Sequence, residues 1–320
     1  MAEISKLSNV AIADVAKVDG LAKASILDIN GLTVPSGAVT PPLDTYTGAA
    51  VAYSVRLLRT AYTGDIMRVR RDSDNVEADV GFDSNNEFGL TSPVSNPSSG
   101  GPFTDFADFI GHGGTPANGF CRYWYDQSGN AVDAGQATQT SQAKIYDSGT
   151  GIIEAGATGK EKPALDFDGS NDFFDVPSTQ WSDGEVGVAM VMDSTYNISS
   201  TTYFMTDVTI LRGAYGTAGS FIIHSPTVPN QTNASNPSNG QRIITWDVSS
   251  GNASLRYDGS VAATQSITGS ISTASTSADL GRRSNNTSFL DGTMQEIIVW
   301  STATNIPNIE SNLNNYFQIF

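Results

Sequence analysis

Apolar and polar residues alternate in many short stretches of the chain, a pattern that predicts β-strands joined by turns. The most informative stretch is 120–130, F-C-R-Y-W-Y-D-Q-S-G-N, in which Phe120, Arg122 and Trp124 are expected on one face of a strand and the residues between them on the other. Large side chains on both faces predict a central strand, with other strands beside it and layers covering it. The last five residues, 126–130, favour turns and predict its end.

The remaining pattern predicts an all-β fold with a few short helices. Further strands are expected at 66–71, 163–167, 173–176, 186–192, 244–248 and 289–300. Three segments have helical spacing of apolar residues: Val51, Val55, Leu58 and Tyr62; Phe106, Phe109 and Ile110 after a Thr104 cap; and Ile306, Ile309, Leu313 and Phe317 after an Asn305 cap with Pro307 in the first turn. About a dozen short strands with few helices is typical of a β-sandwich.

The N-terminal residues form a repeat in which three units align at a spacing of eleven. Their apolar positions are Ile4, Leu7 and Val10, then Val15, Val18 and Leu21, then Ile26, Ile29 and Leu32. Asp19-Gly20 and Asn30-Gly31 are strong hairpin-turn signals, whereas the period alone would also fit a right-handed helical supercoil. Each unit is too small to bury its own apolar side chains, so the segment is expected to fold back on the main domain or to pair with copies of itself or a larger assembly.

Pairing is the preferred interpretation, because breaker residues, including Pro41 and Pro42, follow the repeat and predict a linker. The expected organisation is an oligomerisation or anchoring repeat at 1–34, a linker at 35–44 and a sandwich domain at 45–320.

Composition narrows the function classes. The formal net charge of −16 argues against nucleic acid or an anionic membrane as a partner. The single cysteine, Cys121, excludes an internal disulfide and is expected to be a buried apolar residue. No apolar run is long enough to span a membrane, and the start of the chain lacks the basic and apolar regions of a signal peptide.

Several motifs resemble known families. The segments W-Y-D-Q-S-G-N at 124–130, K-P-A-L-D-F-D-G-S-N-D-F at 162–173 and L-D-G-T-M-Q-E-I-I-V-W at 290–300 resemble the concanavalin A-like, laminin-G-like jelly-roll family. The stretch 52–71 is similar to the N-terminal part of the arabinofuranosidase B catalytic domain, which has the same jelly-roll sandwich. The N-terminal repeat resembles segments of structural proteins of tailed bacteriophages, particularly those of marine cyanobacteria. These resemblances imply a jelly-roll sandwich at about 45–320 and a virion context.

Carboxyl groups are the main candidates for chemistry, because a glycosidase needs a pair of them. Those near the resembling motifs are Asp126, Asp166, Asp168, Asp172, Glu185 and Glu296. Asp126 and Asp168 precede residues with which an aspartate closes a turn, and Glu296 is expected to pair with an arginine such as Arg282 or Arg283. No residue matches the arabinofuranosidase nucleophile and acid regions, so no catalytic residue is assigned.

Metal and ligand contacts have few candidates. Calcium would find oxygen ligands in the Asp168–Asp172 segment, although a turn is the preferred interpretation, and no metal site is assigned. His112 and His224 lie far apart without a ligand motif. Trp124, Trp246 and Trp300 alternate within strands and are expected in the core, which leaves Trp181, in a loop, as the tryptophan expected to contact a ligand.

The preferred hypothesis is a non-enzymatic phage virion structural protein: a decoration, fibre or tail-associated component that displays a lectin-like sandwich. It would be made in the host cytoplasm and carried in the virion. Its expected partners are other virion proteins, further copies of itself (a trimer is one option) and host surface glycans. The alternative is a glycoside hydrolase of arabinofuranosidase type, or a lectin, that acts on host polysaccharide.

Overall fold

The computed structural model describes part of the chain in detail. The described residues are 6–7, 10–11, 17–18, 21–22, 28–29, 32–33, 39–179, 186–194, 202–207, 212–216, 220–224, 234–235, 240–249, 251–266, 276–282, 288–301 and 306–320. The chain divides into two compact units, residues 1–40 and 41–320.

The first unit contains one hairpin in each of its three repeats. Its strands are β1 (Lys6–Leu7), β2 (Val10–Ala11), β3 (Lys17–Val18), β4 (Leu21–Ala22), β5 (Asp28–Ile29) and β6 (Leu32–Thr33). Each strand pairs antiparallel with its successor, and the closest cross-strand partners are Leu7 with Val10, Val18 with Leu21 and Ile29 with Leu32. Two residues separate the strands of each hairpin in sequence, and the predicted turn residues Asp19-Gly20 and Asn30-Gly31 lie outside the described residues.

The second unit consists mainly of antiparallel strands. The strands in its first half are β7 (Ala49–Ser54), β8 (Met67–Arg71), β9 (Glu77–Val80), β10 (Val94–Ser95), β11 (Gly119–Trp124), β12 (Ala134–Gly135), β13 (Lys144–Asp147), β14 (Gly151–Ile152), β15 (Glu154–Ala155), β16 (Lys162–Pro163), β17 (Leu165–Asp168) and β18 (Phe174–Thr179). Those in its second half are β19 (Val186–Ser194), β20 (Thr202–Asp207), β21 (Arg212–Gly216), β22 (Ser220–His224), β23 (Ala234–Ser235), β24 (Gly240–Ser249), β25 (Asn252–Tyr257), β26 (Ser260–Ser266), β27 (Thr276–Leu280) and β28 (Asp291–Trp300). The helices are α1 (Pro42–Thr45), α2 (Phe106–Ile110) and α3 (Ile306–Phe317), with a short 3₁₀ turn at Gln139–Ser141. The predicted all-β fold is confirmed.

The first sheet has the order β26-β25-β24-β19-β28, and the last of these strands is paired along both edges. On the edge opposite β19, the first half of β28 pairs with β17 and the second half with β7. The second sheet has the order β10-β9-β8-β11-β12-β18-β27-β20-β21-β22-β23. Strand β13 bonds to both β11 and β17 and joins the two sheets at one edge.

The main core lies between the two sheets. It contains Trp124, Trp246, Phe167 and Phe174, all fully buried. The Trp124 indole N–H crosses this layer and donates to the Ser54 carbonyl oxygen at 3.1 Å. A second apolar cluster covers part of the outer face of the first sheet, where α3 packs against β19 and β24, so that part of the sheet is buried on both faces.

Strand β11 is central, as predicted, because β8 pairs with one edge and β12 and β13 with the other. The predicted alternation is wrong, however. The register shifts between Cys121 and Tyr123, so the strand contains a β-bulge at Arg122. Cys121 and Trp124 therefore both pack in the core, whereas Arg122 and Tyr123 are partly exposed. The sequence had predicted a layer over their face, and none of the described residues forms one.

The helix predicted from Val51 to Tyr62 is also wrong, because the first part of this segment is strand β7. The strand lies between the main core and the second apolar cluster, so its residues are apolar on both faces. In a strand that is apolar on both faces, some apolar residues are three or four positions apart by coincidence, which imitates the spacing of a helix.

The other two helices occur where their apolar spacing places them. The side chain that caps α2 is Asp105 rather than Thr104; it accepts the Asp108 N–H at 2.9 Å. The four predicted apolar residues of α3 are all buried.

None of the helices that the structure describes combines the length and the apolar character needed to cross a membrane.

Candidate functional site

Three side chains form a row across the outer face of the first sheet. Thr293 of β28 is the direct partner of Asp193 on β19 and of Asp166 on β17. Their neighbours in sequence pack in the main core, so the three side chains point to the opposite face. Since adjacent strands lie about 4.8 Å apart, the α-carbons of Asp193 and Asp166 are separated by about 10 Å, with the threonine between them.

This row forms the floor of a cleft of about 310 Å³. The cleft is lined by Glu154, Ala155, Gly156, Asp166, Asp193, Asp291, Gly292 and Thr293. The lining therefore has four carboxyl groups and no basic side chain. We name it the acidic cleft.

The wall of the acidic cleft is the β15–β16 hairpin, and one buried amide holds it in place. Gln295 occupies a bulge in β28, where the register with β19 shifts. Its amide nitrogen donates to the carbonyl oxygens of Ala155 (3.1 Å), Lys162 (2.9 Å) and Pro163 (3.2 Å), which lie on both strands of the hairpin. Gln295 thus fixes the position of Glu154 relative to the floor.

Burial makes the carboxyl groups of the cleft harder to ionise. It raises the pKa of Asp166, and the nearby charges of Asp291 and Asp168 add to the effect while Lys144 opposes it. Burial also raises the pKa of Asp193, against the opposing effects of the Gly240 N–H and the Arg242 charge.

The third carboxyl group is at the rim. Burial, and to a smaller extent the charges of Glu161 and Glu87, raise the pKa of Glu154. Carboxyl groups with raised pKa values in a concave site are suited to proton transfer near neutral pH. The α-carbons of Asp193 and Asp166, about 10 Å apart, are close enough for the two carboxyl groups to adopt the roughly 6.5–9.5 Å separation of inverting glycosidases.

The structure assigns a structural role to Asp126, one of the carboxyl groups selected from the sequence. It is 4% exposed and accepts hydrogen bonds from the N–H groups of Ala52 (2.9 Å), Ser128 (2.9 Å) and Val132 (3.2 Å). It therefore closes its own turn, as predicted, and also fastens the turn to β7.

Asp168 and Asp172 likewise close a turn. Asp168 accepts the N–H groups of Ser170 (2.8 Å) and Asn171 (3.0 Å), and Asp172 accepts the Asp168 N–H at 3.1 Å. These oxygens bind backbone, which agrees with the turn interpretation of the segment. Within the described ranges, no group of three or more histidine, cysteine or acidic side chains is placed to hold a metal ion.

Glu296 was expected to pair with an arginine such as Arg282 or Arg283, but its partner is Arg56; Arg283 lies outside the described residues. Glu296 is fully buried and forms a two-point ion pair with Arg56, at 2.7 and 3.0 Å. The bulge at Gln295 also moves it to the face opposite Met294, so the two do not share a strand face.

The remaining candidates are three core tryptophans, an exposed histidine and residues outside the described ranges. Trp124, Trp246 and Trp300 are buried, as predicted. His112 is exposed, and its Nδ1 atom lies 2.8 Å from the Tyr146 hydroxyl oxygen. Trp181 and Glu185 lie outside the described residues, as do Ile4, Val15 and Ile26 of the repeat and every side chain of residues 1–38.

Sequence reasoning named only Asp166 among the cleft carboxyl groups. Asp193 could have been found from its strand, because it breaks the apolar run that ends at Met192 and comes one residue out of phase with the buried face. Glu154 had no such signal, since its hairpin reaches the cleft only through the contacts of Gln295.

Comparison with known proteins gives a likeness of fold. No family model matches the sequence, and no curated protein does either. Among solved structures, a GH54 α-L-arabinofuranosidase soaked with a cyclic sulfate inhibitor is similar with a TM-score of 0.58 at 14% identity, over 84% of this chain and 62% of that one. An arabinofuranosidase complexed with arabinofuranosyl-α-1,2-xylobiose gives 0.58 at 13% identity over the same shares. The chain thus spans less than two thirds of these structures, and its predicted sandwich similarity to arabinofuranosidases is confirmed for the fold.

Proposed function

We propose that the sandwich domain is a carbohydrate-active domain that holds a sugar in the acidic cleft and hydrolyses its glycosidic bond. The observation that carries the proposal is the row Asp193–Thr293–Asp166, which places two carboxyl groups on one open sheet face. The similarity of the fold to arabinofuranosidases supports the same class of substrate.

The two aspartates have different surroundings, on which we base their roles. Burial raises the pKa of Asp166, and the charges of Asp291 and Asp168 add to this against the opposing charge of Lys144, so we assign it as the general acid on the glycosidic oxygen. Asp193, near the Gly240 N–H and the Arg242 charge, acts as the base. It takes a proton from a water molecule whose oxygen attacks the anomeric carbon as the leaving group accepts the proton of Asp166.

The test is release of 4-nitrophenol from 4-nitrophenyl α-L-arabinofuranoside. We expect Asp166→Asn and Asp193→Asn each to lower kcat by about 10²- to 10⁴-fold, the usual contribution of a general acid or base. Asp74→Asn, at an exposed turn away from the cleft, is the matched control and should keep full activity. Proton NMR of the first product should show inversion at the anomeric carbon.

Absence of release by the unchanged protein, or equal rates in the two cleft variants and the control, would contradict hydrolysis. Retention of configuration would contradict the assignment of Asp193 as a base.

A second proposal concerns the N-terminal unit. We propose that residues 1–34 attach the sandwich to a larger assembly, a phage virion, and join copies of the chain into an oligomer. Its support is the regular series of hairpins, one in each eleven-residue unit, in which Leu7 pairs with Val10 and Val18 with Leu21. Isolated two-stranded hairpins are marginally stable in water, so partners would supply the missing burial.

Deleting residues 1–34 tests the attachment. We expect light scattering to show an oligomer for the full chain and a monomer for the deletion variant, with the sandwich still folded. An unchanged mass per particle would refute the proposal. Electron microscopy of a parent particle would test the virion context directly.

A further inference from the structure

A tyrosine pair, with Tyr123 exposed and Tyr125 partly buried, lies on the second sheet, on the side of the sandwich opposite the acidic cleft. The bulge at Arg122 turns Tyr123 out of the core, and 36% of this residue is exposed. Within the described ranges, only Val261 and Phe320 are other large apolar residues that reach this exposure. Bulges often reorient a side chain for a function, because they change the direction of one residue without moving the sheet.

The two tyrosine rings are held in fixed positions. A Cβ atom on Gly135, the cross-strand partner of Tyr123, would lie only 2.7 Å from the Tyr123 ring, so the ring rests directly on the glycine backbone. The ring of Tyr125 is nearly parallel to it, at 6°, with the centroids 6.4 Å apart. The Tyr125 hydroxyl donates to Asp79 at 2.6 Å. Fixed rings lose little entropy when a ligand binds against them.

The charged groups around the pair have no excess of positive charge. Arg68 contacts Glu77 and Asp79, both at 2.9 Å, and Arg122 lies 3.4 Å from Glu77. The Arg122 guanidinium carbon is 5.2 Å from the centroid of the Tyr123 ring. The charge of Asp133 also raises the pKa of Tyr125, so two basic groups stand beside three acidic ones.

We propose that Tyr123 and Tyr125 form a second carbohydrate-binding surface, specific for neutral glycans. The apolar C–H groups of a sugar ring pack on an aromatic ring, and its hydroxyl groups bond to the fixed carboxylate and guanidinium groups beside it. A rim without excess positive charge offers no attraction to uronic acids or sulfated sugars. This surface is on the second sheet, so it binds independently of the acidic cleft and gives the domain two points of attachment to one polysaccharide.

Affinity electrophoresis of the full chain tests this surface. The gels contain arabinoxylan, galactan, mannan or β-glucan as neutral probes and polygalacturonate as an anionic one. We expect at least one neutral polysaccharide to retard the protein and polygalacturonate not to. Tyr123→Ala and Tyr125→Ala should weaken retardation at least tenfold, whereas Tyr125→Phe, which keeps the ring, and Val261→Ala, at another exposed apolar residue, should retain it.

Tyr123→Leu keeps an apolar side chain over Gly135 but removes the flat ring, so it distinguishes loss of binding from loss of folding. The gels should no longer retard this variant, and its urea unfolding midpoint should equal that of the unchanged protein. Retardation by none of the neutral probes, or equal retardation of the tyrosine variants, would overturn the inference.

Hydrolysis in the cleft is scored separately with the small aryl arabinofuranoside. Tyrosine-dependent retardation without hydrolysis would contradict the proposed hydrolase function and support the tyrosine surface as a glycan-binding site. Hydrolysis, combined with retardation that depends on Asp166 but not on the tyrosines, would support the hydrolase function and contradict glycan binding at the tyrosine surface.

Discussion

Replacement of Asp172 by asparagine should stabilise the protein, and by an amount that depends on pH. Asp172 is 6% exposed, and burial together with the charge of Asp168 raises its pKa from the ordinary 3.8 to about 7. The folded state thus holds a proton on this carboxyl group that the unfolded chain releases. Asparagine has nearly the same shape, has no charge at any pH and can still accept the Asp168 N–H.

The pKa difference sets the size of the effect. Because the folded pKa is the higher one, the contribution of Asp172 to stability is complete below pH 3.8 and is lost as the pH rises through about 7. At about 1.4 kcal/mol per pKa unit, the loss at pH 8 is about 4 kcal/mol. The variant should therefore exceed the unchanged protein by about 4 kcal/mol at pH 8, about 3 at pH 6 and about 1 at pH 4.5.

Urea unfolding followed by tryptophan fluorescence measures this difference, since Trp124, Trp246 and Trp300 are buried in the sandwich. Asp74→Asn is the control with the opposite sign. The Arg71 guanidinium lowers the pKa of Asp74, so this variant should lose a small amount of stability at pH 8 and none in acid. An Asp172→Asn variant that is no more stable than the unchanged protein at pH 8, or whose advantage is the same at all three pH values, would refute the reasoning.

Three further substitutions test the contacts that organise the fold. Glu296→Ala leaves Arg56, 3% exposed, without its partner and should cost about 3–5 kcal/mol in urea unfolding, whereas changing both residues to methionine should cost less. Asp126→Ala removes the acceptor of three backbone N–H groups and should cost about 3 kcal/mol or more by the same measurement; a loss below 1 kcal/mol would contradict the role given to this turn. Gln295→Ala should cost about 1–3 kcal/mol and speed amide hydrogen exchange in the 154–163 hairpin, and unchanged exchange there would show that other contacts hold it.

Local sequence signals predicted the parts of the fold that depend on neighbours in the chain. The apolar stripe of α3, the strand at 291–300 and the turns closed by Asp126 and Asp168 follow from residues at most a few positions apart. The bulges at Arg122 and Gln295 could not be predicted in this way, because nothing in a strand's own alternation reveals that its partner is one residue shorter.

The acidic cleft depends on long-range pairing to a greater degree. Asp166 was a candidate from its motif, but its relation to Asp193 exists only because both strands pair with β28. The partner of Glu296 was assigned wrongly for the same reason: Arg56 lies 240 residues away in sequence. Charge indicates which type of residue can pair with a given side chain, such as an arginine with Glu296. Only the order and register of the strands determine which individual residue lies beside it.

The position of β28 has a consequence for how the chain matures in a cell. This strand is bonded to β7, β17 and β19, and residues 291–300 leave the ribosome after all three of these strands. Until residues 291–300 emerge, the strand edges of β7, β17 and β19 that pair with β28 have no partner, so the nascent chain carries exposed, aggregation-prone surface during that interval. Production of soluble protein should therefore depend on slow expression or on chaperone capacity, and any truncation before residue 300 should be recovered as inclusion bodies.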